Sequence, residues 1–289
     1  MGDTVVERAS LVERGSSWCA LSMSHAVLIR EAEAATDRGE RWAMLTSYDA
    51  LTAGVFERAG VRALLVGDTA AMVVYGHDST VPVTMGQLVP LVQAVVRGTR
   101  SALIVADLPL GAYQGSAERA LDSATRQLKE GAAQAVKLEG GQAVLPAVRM
   151  MTQAGIPVMG HLGLTPQSVH VLGGTRRVQG RGSAGDRLLE DALALQEAGA
   201  FAVVLEAIPA ELGTRVSEAL AIPTVGIGAG AGCDAQILVW QDFAGLTPGH
   251  IPRFVKRYAD LDDVLTRAAA SYVNDVAGGA YPAPEHCYS

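Results

Sequence analysis

The sequence predicts a single α/β domain folded as a (β/α)8 TIM barrel, and three observations support that prediction. From Trp42 onward, short apolar or β-branched runs alternate with longer helical patterns, which is typical of parallel strands buried on both faces. Eight such units fit within 289 residues, which suits a closed barrel better than an open doubly wound sheet. The sequence after Trp42 contains no linker, strong repeat or low-complexity tract that would divide it.

The predicted elements follow this alternation in order along the chain. Strands are predicted at Trp42–Ser47, Ala63–Gly67, Ala102–Ala106, Ala135–Leu138, Ile156–Gly160, Phe201–Leu205, Pro223–Ile227 and Gln236–Trp240. Helices are predicted between them at Leu51–Ala59, Met85–Arg97, Ala117–Glu130, Ala143–Ala154, Asp186–Ala198 and Ala210–Leu220. The barrel domain is predicted to span residues 25–289, with a helical region at Ile251–Ala277 and an extended tail at Tyr281–Ser289. Residues 1–24 are predicted to form a loosely ordered extension.

The composition excludes several classes of protein. Hydrophobic residues make up 49% of the chain and charged residues 18%, so a sizeable core can form, and the low charge argues against disorder across the bulk of the chain. The net charge of −7 argues against binding to a nucleic-acid backbone, which needs a concentrated basic face. Proline and histidine residues interrupt the longest uncharged stretch, Met150–Thr175, so no membrane span is predicted.

The cysteines and the first residues of the chain bear on its location. Cys19, Cys233 and Cys287 lie far apart, so they predict neither a disulfide framework nor a zinc site. Charged residues interrupt the N-terminal segment and leave no apolar stretch for a signal peptide. We therefore predict a cytoplasmic protein, with Cys233 and Trp240 serving as packing residues.

Charged side chains follow five consecutive predicted strands, at the point where each strand ends. They are Asp68, Asp107, Glu139, His161 and Glu206. Each carboxylate alone could cap the next helix or face solvent, but solvent-seeking residues have no reason to recur at equivalent positions after apolar runs. Because the carboxyl ends of barrel strands form the mouth where catalytic groups gather, we expect these side chains to converge there.

Converging carboxylates repel one another unless a cation neutralises them, so this cluster predicts a metal. Oxygen ligands without cysteine favour Mg²⁺ or Mn²⁺ over Zn²⁺. Lys137 stands two residues before Glu139, so both side chains face the same side of the strand. Lys137 is therefore expected to pair with an anionic substrate; a Schiff base with a carbonyl substrate is the alternative, which a neighbouring divalent cation would make redundant.

Three further motifs have both a functional and a structural interpretation. The Thr69 hydroxyl could hold a substrate carboxylate or simply cap a helix. The glycine-rich run Gly226–Gly232 could bind phosphate, but it has neither Rossmann spacing nor a P-loop lysine, which favours a close-packed turn. The segment His77–Thr80 could suggest a metal pair or a triad, but no nucleophile elbow accompanies it, which favours an ordinary loop.

Seven motifs, in order from Trp42 to about His286, resemble the family of 3-methyl-2-oxobutanoate hydroxymethyltransferase, also called ketopantoate hydroxymethyltransferase. The motifs are Leu65–Asp68, Gly76–Val83, Ala106–Pro109, Val136–Gly141, Gly160–Ser168, Val178–Gly182 and Gly226–Gly230. The resemblance implies Mg²⁺ held by Asp68, Asp107 and Glu139, and a 2-oxo acid contacted by Asp68, Thr69, Asp107, Lys137 and His161. It also implies Glu206 as the general base, 5,10-methylenetetrahydrofolate as the one-carbon donor, and a homodecamer.

The implied reaction is an aldol-type transfer in which the metal stabilises an enolate after Glu206 removes a proton from C3 of the 2-oxo acid. Three departures from the family pattern bear on the choice of acid: Thr69 in place of the usual Ser, an altered Gly173–Val178 loop, and Ala235 in place of the usual Gly. The alternatives are a paralogue acting on another 2-oxo acid and a Mg²⁺-dependent lyase or mutase that uses no folate. A non-enzymatic scaffold is disfavoured because a scaffold has no need for several buried charges.

Overall fold

Eight parallel strands close into one barrel, as the sequence predicts. The computed structural model describes residues 39–174, 177–249 and 251–288, together with Ile29 and Thr36. Each strand pairs with the next in sequence, and β8 pairs with β1 to close the sheet. The predicted extension at residues 1–24 lies outside the described residues, so the domain boundary after it stays a prediction. The strands are β1 (Trp42–Thr46), β2 (Ala63–Val66), β3 (Leu103–Asp107), β4 (Ala135–Lys137), β5 (Val158–Gly163), β6 (Ala202–Glu206), β7 (Thr224–Ile227) and β8 (Ala235–Leu238).

Helices follow the strands and cover the outside of the barrel. They are α1 (Ala50–Arg58), α2 (Ala70–Val73), α3 (Met85–Gly98), α4 (Ala117–Lys129), α5 (Leu145–Gln153), α6 (Val169–Leu172), α7 (Ser183–Glu197), α8 (Ala210–Ala219), α9 (Trp240–Phe243) and α10 (Leu261–Ala277). The six helices predicted between strands are all present, with ends that differ by a few residues. The three four-residue helices α2, α6 and α9 were not predicted, since they are too short for a periodic apolar pattern.

Three predictions near the C-terminus are wrong, the third of them in part. Trp240 does not end β8 but begins α9, where its ring packs against Phe56 at a centroid distance of 6.0 Å. The helix predicted from Ile251 begins only at Leu261. The backbone just before Leu261 is hydrogen-bonded to the end of α9 and not in a helix of its own: Tyr258 N donates to Phe243 O at 2.8 Å. The tail is not wholly extended either, since a 3-10 turn occupies Pro284–His286.

The barrel interior is filled by side chains that alternate along each strand. In β3, Leu103 and Val105 point into the barrel, whereas Ile104 and Ala106 pack outward beneath the helices. Alternation of this kind follows from the two-residue period of a strand. It also fixes which residues reach the mouth, because the next inward position on β3 after Val105 is Asp107.

Candidate active site

A cavity of about 430 Å³, part of it open to solvent, lies at the carboxyl end of the barrel. All seven predicted site residues line it, together with apolar side chains from β2, β6, β7 and β8. The predicted residues are Asp68, Thr69, Asp107, Lys137, Glu139, His161 and Glu206. The structure therefore brings together every residue that the sequence places in the site.

Strand register delivers the charged groups to one level of the barrel. Asp107, the last residue of β3, lies opposite Lys137, the last residue of β4, and their side chains form an ion pair with 2.9 Å between Oδ1 and Nζ. Glu139 follows two residues after Lys137 and faces the same cavity, as expected from the strand period. Val136 and Leu138, at the alternate positions, are fully buried in the outer core.

Asp68 approaches the same cluster from the end of β2. Its backbone N–H donates to Oδ2 of Asp107 at 3.0 Å, so Asp107 joins the ends of β2, β3 and β4. Asp68 and Asp107 are 3% and 1% exposed. Neither side chain caps a helix: α2 has Thr69 at its N-cap position, and the Asp107 carboxylate is engaged by Lys137 and Asp68. The helix-cap interpretation is therefore wrong for both.

His161 bridges two carboxylates on opposite sides of its ring. Nδ1 lies 3.4 Å from Oε1 of Glu139, and Nε2 lies 3.3 Å from Oε2 of Glu206. Nδ1 also lies 3.3 Å from Nζ of Lys137. Gly163 lets β5 and β6 run this close, because with its φ of 93° a Cβ there would overlap the carbonyl oxygen of Glu206. Glu206 is the more accessible carboxylate, with 16% of its side chain exposed.

Asp68 and Asp107 are poorly accommodated as anions, whereas Glu139 is not. Burial raises the pKa of Asp68 well above its ordinary value, and repulsion from Asp107 and Glu139 raises it further. Burial likewise raises the pKa of Asp107, although the Lys137 ammonium acts in the opposite direction. For Glu139, burial is outweighed by hydrogen bonding to His161 and by the positive charges of His161 and Lys137, so its pKa is lowered. The cluster thus holds more negative than positive groups.

The two basic residues respond to this excess of carboxylates. Burial acts to lower the pKa of Lys137, but Asp107, Glu139 and Asp68 together raise it above its ordinary value. Burial and Lys137 act to lower the pKa of His161, but its bonds to Glu139 and Glu206 raise it to about 9. Lys137 is therefore an ammonium at neutral pH, which disfavours the Schiff-base alternative, since that reaction needs a free amine.

The donor chemistry of the cluster fits a hard divalent cation. Oδ1 of Asp107 and Oε1 of Glu139 are buried and accept no well-aligned hydrogen bond; each has only a charged neighbour. Carboxylate oxygens are the ligands that Mg²⁺ prefers. Within the described residues, however, no group of three His, Cys, Asp or Glu side chains is already arranged around one point as a metal site.

Comparisons with known proteins identify the family. The family model for ketopantoate hydroxymethyltransferase matches residues 26–284. The 3-methyl-2-oxobutanoate hydroxymethyltransferase of Frankia alni is 64% identical over 260 residues, which cover 90% of this chain and 86% of the relative. That of Thermobifida fusca is 55% identical and covers 93% and 95%. The chain belongs to the ketopantoate hydroxymethyltransferase family. The enzyme class predicted from the motifs is confirmed.

Solved structures of other proteins share the fold. Phosphonopyruvate hydrolase in complex with oxalate and Mg²⁺ aligns with a TM-score of 0.58 at 14% identity, covering 90% of this chain and 93% of that one. A 2,3-dimethylmalate lyase aligns with a TM-score of 0.55 at 16% identity, covering 90% and 92%. At such low identity the likeness shows the barrel fold alone, so it does not favour the lyase alternative over the family.

No helix in the described ranges is both long and apolar enough to cross a membrane.

The positions that depart from the family pattern have different structural settings. Thr69 occupies the N-cap position of α2, but its side chain makes no capping hydrogen bond and lines the cavity instead. Ala235 begins β8 and is buried in the barrel interior, away from the mouth. In the Gly173–Val178 loop, Thr175 and Arg176 lie outside the described residues.

Two motifs with alternative interpretations prove to be structural. In the glycine run, a Cβ on Gly228 would lie 2.6 Å from the Phe254 ring, and one on Gly232 would overlap Thr214, so the run is the predicted close-packed turn. His77 and Asp78 are exposed in the loop before α3, and Thr80 is buried away from the cavity lining. The ordinary-loop interpretation is therefore confirmed for His77–Thr80.

Sequence reasoning missed two polar residues that support the site. Tyr113, in the loop after β3, and Gln167, in the loop after β5, are buried and hydrogen-bonded to each other at 2.7 Å. Both are uncharged, so a search for charged groups at strand ends passed over them. Gln167 does lie inside the quoted motif Gly160–Ser168, and its place beyond a strand end was the available signal.

Proposed function

We propose that this family member transfers a hydroxymethyl group from 5,10-methylenetetrahydrofolate to 3-methyl-2-oxobutanoate and so forms 2-dehydropantoate. The convergence of Asp68, Asp107, Lys137, Glu139 and Glu206 on one cavity supports this proposal most directly. Burying so many ionisable groups together lowers the stability of the fold, so such a cluster indicates a functional site.

The carboxylates of Asp68, Asp107 and Glu139 would hold Mg²⁺, with Mn²⁺ as a substitute. When bound, the cation supplies Lewis-acid stabilisation of negative charge on the substrate's oxygens. Because these three carboxylates, all in the described part of the chain, are not already arranged around one point, the proposal includes a shift of their side chains on binding. Lys137, as an ammonium, pairs with the substrate's carboxylate, and the Thr69 hydroxyl at the cavity wall donates a hydrogen bond to it.

Glu206 removes the proton from C3 of the 2-oxo acid. Its carboxylate lines the cavity and is more accessible than the other carboxylates, so a substrate can reach it. His161 lies within ion-pair distance of both carboxylates, with Nε2 3.3 Å from Oε2 of Glu206 and Nδ1 3.4 Å from Oε1 of Glu139, and would hold the Glu206 carboxylate in place by charge attraction. The methylene carbon of the folate is bonded to two nitrogens, and one water molecule cleaves both C–N bonds, giving its oxygen to the carbon and its hydrogens to the nitrogens of the departing tetrahydrofolate. The electron pair left at C3 forms the C–C bond to this one-carbon unit, and the oxygen takes up the proton that C3 lost.

A turnover panel of 2-oxo acids with varied side chains tests the substrate, with methylenetetrahydrofolate and Mg²⁺ held constant. We expect 3-methyl-2-oxobutanoate to have the highest kcat/KM. Another acid that is better by more than tenfold, about 1.4 kcal/mol, would overturn the substrate and leave the reaction class. Turnover of a branched 2-oxo acid without folate would instead support the lyase alternative.

The oligomeric state is part of the proposal: the chain assembles with copies of itself, and the family resemblance implies a homodecamer. Helix α10 supports this, because none of its residues is buried although Val264, Leu265, Tyr272, Val273 and Val276 are apolar. These residues recur at helical spacing and form a stripe that solvent alone would not favour. The cytoplasmic location stays a prediction.

Light scattering coupled to size-exclusion chromatography tests the assembly. We expect a mass ten times that of the 30.0 kDa chain. Val273→Asp, which places a charge in the apolar stripe of α10, should yield smaller species, whereas Asn274→Asp on the same helix should not. A monomeric wild-type protein would contradict the proposal.

A further inference from the structure

Gln167 is an uncharged side chain buried among the charged groups of the active site. It lies in the 3-10 turn Pro166–Ser168, which follows β5, and is 5% exposed. Pro166 begins this turn with its restricted φ, so the backbone direction at Gln167 is set locally. The turn brings both the side chain and the backbone N–H of Gln167 against the carboxylates of the cluster.

The amide of Gln167 uses its full hydrogen-bonding capacity. Nε2 donates to Oδ2 of Asp68 at 2.8 Å and to the carbonyl oxygen of Leu108 at 3.0 Å. Oε1 accepts from the hydroxyl of Tyr113 at 2.7 Å and from Nε2 of Gln114 at 3.2 Å. A primary amide has two donors and two acceptor sites, so none is left over.

These partners also determine which way the amide points. If it were rotated by half a turn, Oε1 would face the Asp68 carboxylate and the Leu108 carbonyl, which are both acceptors. Two donor–acceptor contacts would thereby become repulsive in a buried setting, where an unmade hydrogen bond costs the most. The network therefore fixes Nε2 toward Asp68.

Gln167 reaches a second carboxylate through its backbone. Its N–H donates to Oε2 of Glu139 at 3.0 Å. One residue thus holds one oxygen of Asp68, from the end of β2, and one oxygen of Glu139, from the end of β4. Oε1 of Glu139 remains without a well-aligned hydrogen bond and faces His161.

We infer that Gln167 is a positioning residue that sets the separation and orientation of the Asp68 and Glu139 carboxylates and so prepares them to bind a divalent cation. The cation binding rests on the proposed function, whereas the positioning of the carboxylates does not. Residues that orient metal ligands act through such bonds, and their loss typically weakens metal binding about 10- to 100-fold. Gln167 itself supplies no charge and accepts no proton in the reaction.

The test compares Gln167→Met with a matched control, Gln134→Met. Both substitutions keep the length of the side chain and remove an amide. Gln134 lies at the opposite end of the barrel, where its amide bonds only to the backbone of Ile104 and Ala132. We expect Gln167→Met to bind Mn²⁺ about 10- to 100-fold more weakly by calorimetry, and Gln134→Met to bind it as the wild type does. Equal affinity of all three proteins would overturn the inference.

A second variant and metal-free crystal structures also test the positioning role of Gln167. If Gln167→Met does not fold, Tyr113→Phe removes the hydroxyl that holds Oε1, and we expect a smaller loss of Mn²⁺ affinity, about 2- to 10-fold; no loss would overturn the inference. If the wild type binds no Mn²⁺ or Mg²⁺, the proposed metal fails, and metal-free crystal structures decide the positioning alone. Displaced Asp68 and Glu139 carboxylates in the variant would support it, and unmoved ones would overturn it.

Discussion

The two ends of the barrel interior are built from the same strands but differ in the side chains they bury, which are apolar at the amino end and charged at the carboxyl end. At the amino end, β3 and β4 begin with Leu103 and Ala135, which are buried among apolar neighbours. At the carboxyl end, the same two strands finish with Asp107 and Lys137, which are just as buried but charged. Alternation along a strand places all four side chains inside the barrel, so the difference lies in residue type and not in backbone geometry.

That difference separates stability from function. Apolar side chains gain free energy when they leave water, roughly in proportion to the area buried. Charged side chains lose hydration on burial, and the attraction within a buried ion pair often only offsets that loss. The amino end therefore contributes stability, whereas the carboxyl end is maintained for its chemistry. Substitutions at the two ends should consequently have different signatures.

The largest effect is expected at Glu206, and it should be on activity alone. Glu206→Gln removes the proposed base while keeping its size, and proton transfer by a positioned base typically contributes about 100- to 10,000-fold. We expect exchange of the C3 proton of 3-methyl-2-oxobutanoate, followed by NMR in D₂O with Mg²⁺, to fall by that factor. The thermal midpoint should stay close to that of the wild type.

Glu197→Gln is the control for this experiment, because it removes an exposed carboxylate from the end of α7. Its exchange rate should equal that of the wild type. Wild-type exchange in Glu206→Gln would remove Glu206 from the role of base.

The second prediction concerns the amino end, where a substitution should lower stability and leave activity nearly unchanged. Leu103→Ala removes a side chain that is 2% exposed in the barrel interior and should lower the free energy of unfolding by about 2–5 kcal/mol. Urea denaturation measures the loss. The kcat/KM of the folded variant should remain within about twofold of the wild type, because the site lies at the other end. Leu51→Ala, at a position 84% exposed, should change stability by less than about 0.5 kcal/mol.

A third prediction concerns Asp107, where charge can be removed with little change in volume. Asp107→Asn should weaken Mn²⁺ binding by about 10- to 100-fold, since it takes one negative charge from the proposed ligands. The free energy of unfolding should fall by about 1–3 kcal/mol: the amide oxygen can still accept the Asp68 N–H, and Asp68 and Glu139 remain to balance Lys137. Asp122→Asn, on the exposed side of α4, serves as the control. Unchanged Mn²⁺ affinity in the Asp107 variant would exclude Asp107 as a ligand.

Much of the contrast between the apolar and the charged end of the barrel could be predicted from the sequence, because it depends on strand periodicity. The apolar runs located the eight strands, and the residues at their ends located Asp68, Asp107, Glu139, His161 and Glu206. Lys137 followed from its spacing to Glu139. Local patterns suffice here, since the position of a residue at a strand end already fixes where its side chain points in a barrel.

The parts that could not be predicted depend on contacts between distant segments. Gln167 reaches Asp68 across 99 residues of sequence, and nothing in its local pattern indicates that partner. The late start of α10 depends on backbone bonds from Tyr258 and Leu261 to α9, which compete with helix formation. Such long-range hydrogen bonds override local propensity, and a single sequence does not reveal them.

The smallest effect concerns Glu57, a partly exposed residue at the amino end of the barrel. Glu57, on α1, accepts hydrogen bonds from the backbone N–H groups of Arg100, Ser101 and Ala102, just before β3 begins. Partial burial acts to raise the pKa of Glu57, but these donors outweigh it and hold the pKa below its ordinary value of 4.5. The ionised carboxylate thus fastens α1 to the start of β3.

Glu57→Gln should lower the free energy of unfolding by about 1 kcal/mol at pH 7, because the neutral amide accepts these bonds more weakly and solvent screens the site. Since the folded-state pKa is depressed, the contribution of Glu57 is fully present above its unfolded value of 4.5 and is lost as the pH falls through the folded value. Urea denaturation of both proteins should therefore give a constant difference between pH 6 and 8 that shrinks below about pH 4.5. Other groups that titrate in this range act on both proteins alike and cancel in the difference. A gap that persists undiminished at about pH 3 would show that Glu57 acts through its shape and not through its charge.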